Sequence, residues 1–164
     1  NLNYIILRAG NIFGPGQKPG LFIPSMITKM IEHPEKVTLG SLEAYRNFIY
    51  VEDVITALDH CLNLFVQNKE RSIIHNHTFN LSAYNLQIAE VLAEIIKLAN
   101  TAGINPKIEQ DKSLFRVSET KVERTYLDCQ KAQQLLKWSP KHTFKNALQV
   151  TFNSYLNAKE ELRI

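Results

Sequence analysis

Tyr4-Ile5-Ile6-Leu7-Arg8-Ala9-Gly10-Asn11-Ile12-Phe13-Gly14-Pro15-Gly16 carries the reading of the fold. Tyr4 to Leu7 is apolar at every position, and a strand that is apolar on both faces belongs inside a parallel sheet covered by helices. Glycine and proline cluster directly after it, marking a sharp turn where backbone can approach a ligand closely. In open α/β sheets ligands bind beyond the carboxyl ends of the strands, which is where this turn falls. Asn11 offers both an acceptor and a donor there, although asparagine is also an ordinary turn former. The glycines do not spell G-x-G-x-x-G, so no dinucleotide loop is assigned. Nothing upstream of Tyr4 supplies the rest of such a sheet, and the sequence is expected to be a piece of a larger protein.

A second junction is Arg46-Asn47-Phe48-Ile49-Tyr50-Val51-Glu52-Asp53-Val54. Phe48 to Val51 is an aromatic and β-branched run that suits a strand. The apolar positions Val54, Ile55, Leu58, Cys61, Leu62 and Phe65 then recur at helical spacing. Glu52 and Asp53 fall in the first turn of that helix, where acids complement the exposed N–H groups. Arg46, placed by this reading in a loop before the strand, is either a solvated surface residue or a guanidinium fork for a phosphate.

The remaining chain alternates short strands and amphipathic helices. Helical spacing predicts Leu21 to Ile31, with Pro24 in the first turn, and a long helix to Ala99 capped by Asn85 and ended by Gly103. A last helix opens at His142 or Thr143 and carries Phe144, Ala147, Leu148, Thr151, Tyr155 and Leu156 on one face. Short strands are expected at Val37–Leu39, Thr78–Ser82 and Lys107–Glu109, and polar loops at Asn68–Asn76 and Asp111–Lys121.

The chain has 164 residues, 45% hydrophobic and 21% charged, and a net charge of +3, which suit one globular domain. Its basic residues are scattered rather than striped, which argues against nucleic acid. Cys61 and Cys129 have no metal-ligand spacing and read as buried free thiols of a reducing compartment. No run is long enough for a membrane helix and no signal peptide is visible, so the cytoplasm is the expected location. The histidines are dispersed, and no metal site is expected.

These stretches together resemble the extended short-chain dehydrogenase/reductase family, the NAD-dependent nucleotide-sugar epimerases and dehydratases. Arg8 to Gly16 is similar to the R-x-x-N-x-Y-G-P-G signature after the last cofactor-domain strand, with Phe13 in place of the usual tyrosine. Gly40 to Arg46 matches G-x-x-x-x-x-R, Thr78 to Ser82 is similar to Y-N-I-G, and Arg124 to Pro140 resembles the R-x-x-x-D…K-A-x-x-x-L-G-W-x-P ending. Lys137 replaces that ending's glycine, so the helix there is expected to close without its cap. Trp138 is assigned to the core.

The resemblance implies a fold and roles. Residues 1–17 would end a Rossmann-type NAD domain with its last parallel strand; residues 18–164 would form a small mixed α/β substrate-binding region, with elements packing back on the Rossmann sheet. Arg46 and Arg124 would hold the substrate diphosphate. Asn11 would contact the substrate beside the nicotinamide, Leu21 and Phe22 would line the nucleotide pocket, Leu39 would be a further substrate-binding residue, and Asn80 would face the same pocket. Arg8 and Asn11 would reach the NAD cofactor. Family members oxidise the sugar transiently at C4, then eliminate water or reduce the ketone from the other face. Their glycine loop and Tyr-x-x-x-Lys base are missing here; Tyr155 and Lys159 match the spacing by coincidence, at the end of the last helix. The chain is therefore expected to be the C-terminal part of such an enzyme, inactive alone, partnered by the N-terminal Rossmann half, and homodimeric at full length. The Tyr126–Ala132 ending leans toward enzymes of cytidine-diphosphate sugars. A non-catalytic NAD(P)-sensing or binding module is the alternative.

Overall fold

The computed structural model describes residues 4–66, 76–115 and 124–161. Its elements run β1 (Ile5–Ala9), β2 (Asn11–Phe13), α1 (Phe22–Glu32), β3 (Val37–Leu39), β4 (Tyr45–Tyr50), α2 (Val51–Val66) and β5 (His77–Leu81). Then follow β6 (Tyr84–Gln87), α3 (Ile88–Thr101), β7 (Ile108–Gln110), a 3-10 turn at Lys112–Leu114, α4 (Gln130–Leu135) and α5 (Phe144–Glu161). Of the expected polar loops, 68–75 and 116–121 lie outside the described residues.

The chain shuttles between two apolar cores. In one, β1 and β5 pair in parallel, Ile5 opposite His77 through Ala9 opposite Leu81. Ala57 and Cys61 of α2, Ala132 of α4, Leu136 and Trp138 pack with Phe79 and Leu81. In the other, α1, α3 and α5 close over the sheet β2-β4-β6, with Ile27, Met30, Val91, Ile95, Leu148 and Phe152 all at its centre. A parallel pair, β3 with β7, edges this second core.

The expected parallel strand forms at Ile5–Ala9, one residue later than Tyr4, with one further difference. Ile5, Leu7 and Ala9 pack inward, but Tyr4 is 48% and Ile6 46% exposed, because alternation along the chain turns them to a face that the described residues leave partly open. The glycine-rich turn also differs from expectation. Asn11–Phe13 is a strand paired in parallel with β4. Gly10 lets the chain cross from β5 to β4: its N–H donates to Leu81 O at 2.9 Å, and a Cβ there would lie 2.7 Å from Asn47 O. The group approached so closely is the backbone of β4 rather than a ligand.

Two polar residues sit in strands where the sequence places a loop and a cap. β4 begins at Tyr45, so Arg46 lies within it, opposite Leu86 of β6. Asn85 belongs to β6, opposite Asn47, and does not cap α3. That helix starts later, with the Glu90 carboxylate accepting the Gln87 N–H at 2.7 Å. The antiparallel pairing of distant segments organises both strands, and local pattern does not display it.

The other ends follow local chemistry. Gly103 (φ +77°) closes α3, with Ile104 N–H on Ala99 O. Thr143, not His142, opens α5, its hydroxyl accepting the Asn146 N–H. Beyond α4, Lys137 takes the left-handed turn itself (φ 53°), so the glycine-type ending persists without glycine. Cys61 is buried as expected, whereas Cys129 is half-exposed because it precedes α4 rather than facing its core. Burial raises the pKa of both thiols. Among the described residues no helix is long and apolar enough to cross a membrane, and no group of three His, Cys, Asp or Glu could hold a metal ion.

Candidate functional site

A cavity of about 400 Å³ opens between α1, β3 and the sheet β2-β4-β6. Phe22, Ser25, Met26 and Lys29 line it from α1, at the i, i+3, i+4 and i+7 spacing that shares one helix face. Thr38, Leu39 and Gly40 contribute from the end of β3; Arg46 and Phe48, two apart on β4, present the same face of that strand. Five sequence-designated residues therefore meet here: Asn11, Leu21, Phe22, Leu39 and Arg46.

The surroundings fix them. Asn11 Nδ2 donates to Asn47 O at 3.1 Å, and Arg46 Nη1 to Tyr45 O at 2.9 Å. Leu39 is buried among core residues, while Leu21 is 44% exposed at the mouth. Among the lining residues Lys29 and Arg46 are the charged ones, and none is a carboxylate. A site with two cations and no acid suits an anion. Lys29, whose Nζ donates to Thr38 O at 3.3 Å, escaped the sequence reading. Its position three residues after Met26 on the α1 stripe is the signal that could have found it.

Asn80, Arg124 and Arg8 are not among the lining residues. Arg124 is exposed; its Nε donates to Asn85 Oδ1 at 2.7 Å and its guanidinium stands 4.8 Å from the centre of the Tyr45 ring. Tyr45 and Asn47 alternate with Arg46 and Phe48, so Arg124 lies on the opposite face of β4 from the cavity wall. Three asparagines hold the segment that carries it: Asn47 and Asn85 both donate to Thr125 O, and Asn80 to Asp128 O. Arg8 is exposed on β1, opposite Asn80 in register.

A polar joint links the two cores just beyond β4. Asp53, fully buried, accepts the Lys141 N–H at 2.9 Å, and its Oδ1 stands 2.9 Å from His142 Nδ1. Trp138 Nε1 donates to Asp53 O and Thr56 Oγ1, and Tyr84 OH donates to His142 O at 2.5 Å. Burial first, then the Asp53 carboxylate, push the Tyr84 pKa up to about 12. Asp53 thus does far more than start a helix. Tyr155 OH and Lys159 Nζ donate to the carbonyls of Gln17 and Ile31.

Residues 1–151 match the family model described as GDP-mannose 4,6 dehydratase. The chain belongs to that family. It is an extended short-chain dehydrogenase/reductase of the nucleotide-sugar dehydratase and epimerase kind, and its mixed α/β fold with parallel strand pairs matches Rossmann-type members. It is similar to dTDP-glucose 4,6-dehydratase of Escherichia coli, 31% identical over 160 residues, covering 95% of this chain and 42% of that protein. Among solved structures, UDP-glucose 4-epimerase from Thermotoga maritima, crystallised with UDP-glucose, matches at TM-score 0.76 and 23% identity, over 96% of this chain and 47% of that one. A dTDP-glucose 4,6-dehydratase from Bacillus anthracis in complex with NAD matches at TM-score 0.72 and 26% identity, over 95% and 45%. The chain spans less than half the length of each.

Proposed function

We propose that this chain is the C-terminal, substrate-binding part of an NAD-dependent nucleotide-sugar 4,6-dehydratase or 4-epimerase. The observation that carries the reading is the cavity lined by Arg46, Lys29, Asn11 and apolar side chains without a carboxylate. A nucleoside diphosphate needs apolar walls for its base and a fixed cation for its phosphates. Arg46, bedded in a strand, is that cation for the diphosphate, and Asn11 meets the sugar. Arg124, assigned a second diphosphate contact by family position, acts in this proposal from the far face of β4 by bracing the strand that carries Arg46.

The cofactor and the catalytic base belong, in this reading, to an N-terminal Rossmann half. Arg8 and Asn11 are the residues of this chain that would touch NAD. They lie at and just beyond the carboxyl end of β1, where a doubly wound sheet receives its ligands. Tyr4 and Ile6, and the α2 stripe of Ile55, Leu58 and Leu62, are the apolar surface that half would cover. Alone, the chain is expected to bind a nucleotide sugar without converting it.

Calorimetric titration of UDP-, CDP-, dTDP- and GDP-glucose into the chain tests this, repeated with Arg46→Ala. Selective binding that is lost in the variant supports it. No binding by a well-folded chain, or binding indifferent to Arg46, counts against it, and so does turnover by this chain alone.

A further inference from the structure

We infer that Lys29 reads the base of the bound nucleotide and selects bases that present a keto oxygen, uracil, thymine or guanine, over cytosine. This rests on the nucleotide reading of the cavity and adds to it a specificity-determining residue and a substrate class.

The two cations occupy different walls. Arg46 belongs to the sheet wall, in the same three-stranded sheet as Asn11. Lys29 stands on the α1 wall, at the far end of the stripe Phe22, Ser25, Met26, Lys29, roughly 10 Å along the helix axis from Phe22 at 1.5 Å per residue. It leans on β3 through Thr38 O, beside Leu39. Phe22, Met26 and Leu39 are the apolar surfaces suited to a flat ring. A nucleoside diphosphate sugar carries its charge in the middle and its base at one end. With Arg46 and Asn11 on the sheet wall taking diphosphate and sugar, we place the base on the α1 and β3 wall, with position 4 of a pyrimidine or position 6 of a purine toward the Lys29 ammonium.

An ammonium has three donors and no acceptor. One donor is used by Thr38 O, and the other two can pair only with acceptors. At position 4 uracil and thymine offer a keto oxygen, as guanine does at position 6, whereas cytosine carries its N4 amine at position 4, donor against donor. A neighbouring ammonium that finds an acceptor gains a charge-assisted hydrogen bond, and one that faces an amine stays unpaired. The preference runs against the leaning of the Tyr126–Ala132 ending toward cytidine nucleotides, because Lys29 lines the cavity and no residue of that ending does.

UDP and CDP differ at this edge and share their phosphates, so they are the probes. Titration into the full chain is expected to show UDP binding roughly tenfold tighter than CDP. Lys29→Met removes the preference by weakening UDP while leaving CDP nearly unchanged, and Lys29→Arg keeps it. Equal weakening of both ligands by Lys29→Met would make Lys29 a phosphate contact and overturn the inference. So would binding that depends on Arg46 yet ignores the base, which leaves the nucleotide reading standing. If neither ligand binds the folded chain and Arg46→Ala changes nothing, the nucleotide reading itself falls and takes the inference with it.

Discussion

The two cores were built from the same kinds of residue and finished differently. Around α1, α3 and α5 the apolar faces close on one another, and Ile27, Met30, Val91 and Ile95 have no measurable exposure beyond 0%. Around β1 and β5 one face closes on α2 and α4, while Tyr4 and Ile6 toward the other face, and Ile55, Leu58 and Leu62 on the outer side of α2, stay between 46% and 64% exposed. Amphipathic helices carry their partners' signature in sequence, since a stripe needs one neighbour. A strand apolar on both faces needs two neighbours, and this chain's described residues supply one. The contrast separates the core the chain closes by itself from the apolar surface its described residues leave exposed.

The largest effect should come from the closed core. Phe152→Ala empties a site that is 1% exposed and should cost about 3–5 kcal/mol in urea unfolding. If the loss is below about 1 kcal/mol, the closed core is not where the stability resides and the contrast fails. Next is the joint between the cores. Asp53→Ala leaves the Lys141 N–H and the His142 ring without their buried acceptor and should cost about 2–3 kcal/mol. Trp138, the only tryptophan, touches Asp53 O, so its emission reports whether one core loosens before the other.

Much of the closed core was legible in sequence, because α1, α3 and α5 repeat their apolar residues at helical spacing. The lengths of β4 and β6 were not. Arg46 and Asn85 owe their strand conformation to each other's strands, about forty positions apart, and local propensity is silent on that pairing. The cavity was half legible: glycine and proline punctuation led to Asn11, and the family resemblance to Leu21, Phe22, Leu39 and Arg46. The Asp53–His142 contact spans 89 positions and no motif announces it. Nor does any pattern reveal that alternation along β4 parts Arg124 from Arg46.

A smaller effect sharpens the comparison at the edge of the open core. Lys137 holds φ 53° without glycine's freedom. Lys137→Gly should stabilise by about 0.5–1 kcal/mol, the left-handed strain relieved exceeding the entropy glycine adds to the unfolded chain. Destabilisation in the same melts would mean that the lysine side chain contributes more than its backbone strain costs.

The smallest expected effect is the most telling about the open face. Leu62 is 64% exposed, so Leu62→Ala in this chain should change stability by no more than about 0.5 kcal/mol. The same change in a protein whose N-terminal half covers α2 should cost about 2 kcal/mol or more, the range for truncating a buried leucine. A large cost in the isolated chain would show that the face is already covered. If that cost also grew with protein concentration, the cover would be a second copy of the chain, since association stabilises by mass action and intramolecular packing does not. A small cost in both settings would leave α2's apolar stripe as plain surface, and the open core would then be open by design of the fold rather than by lack of a partner.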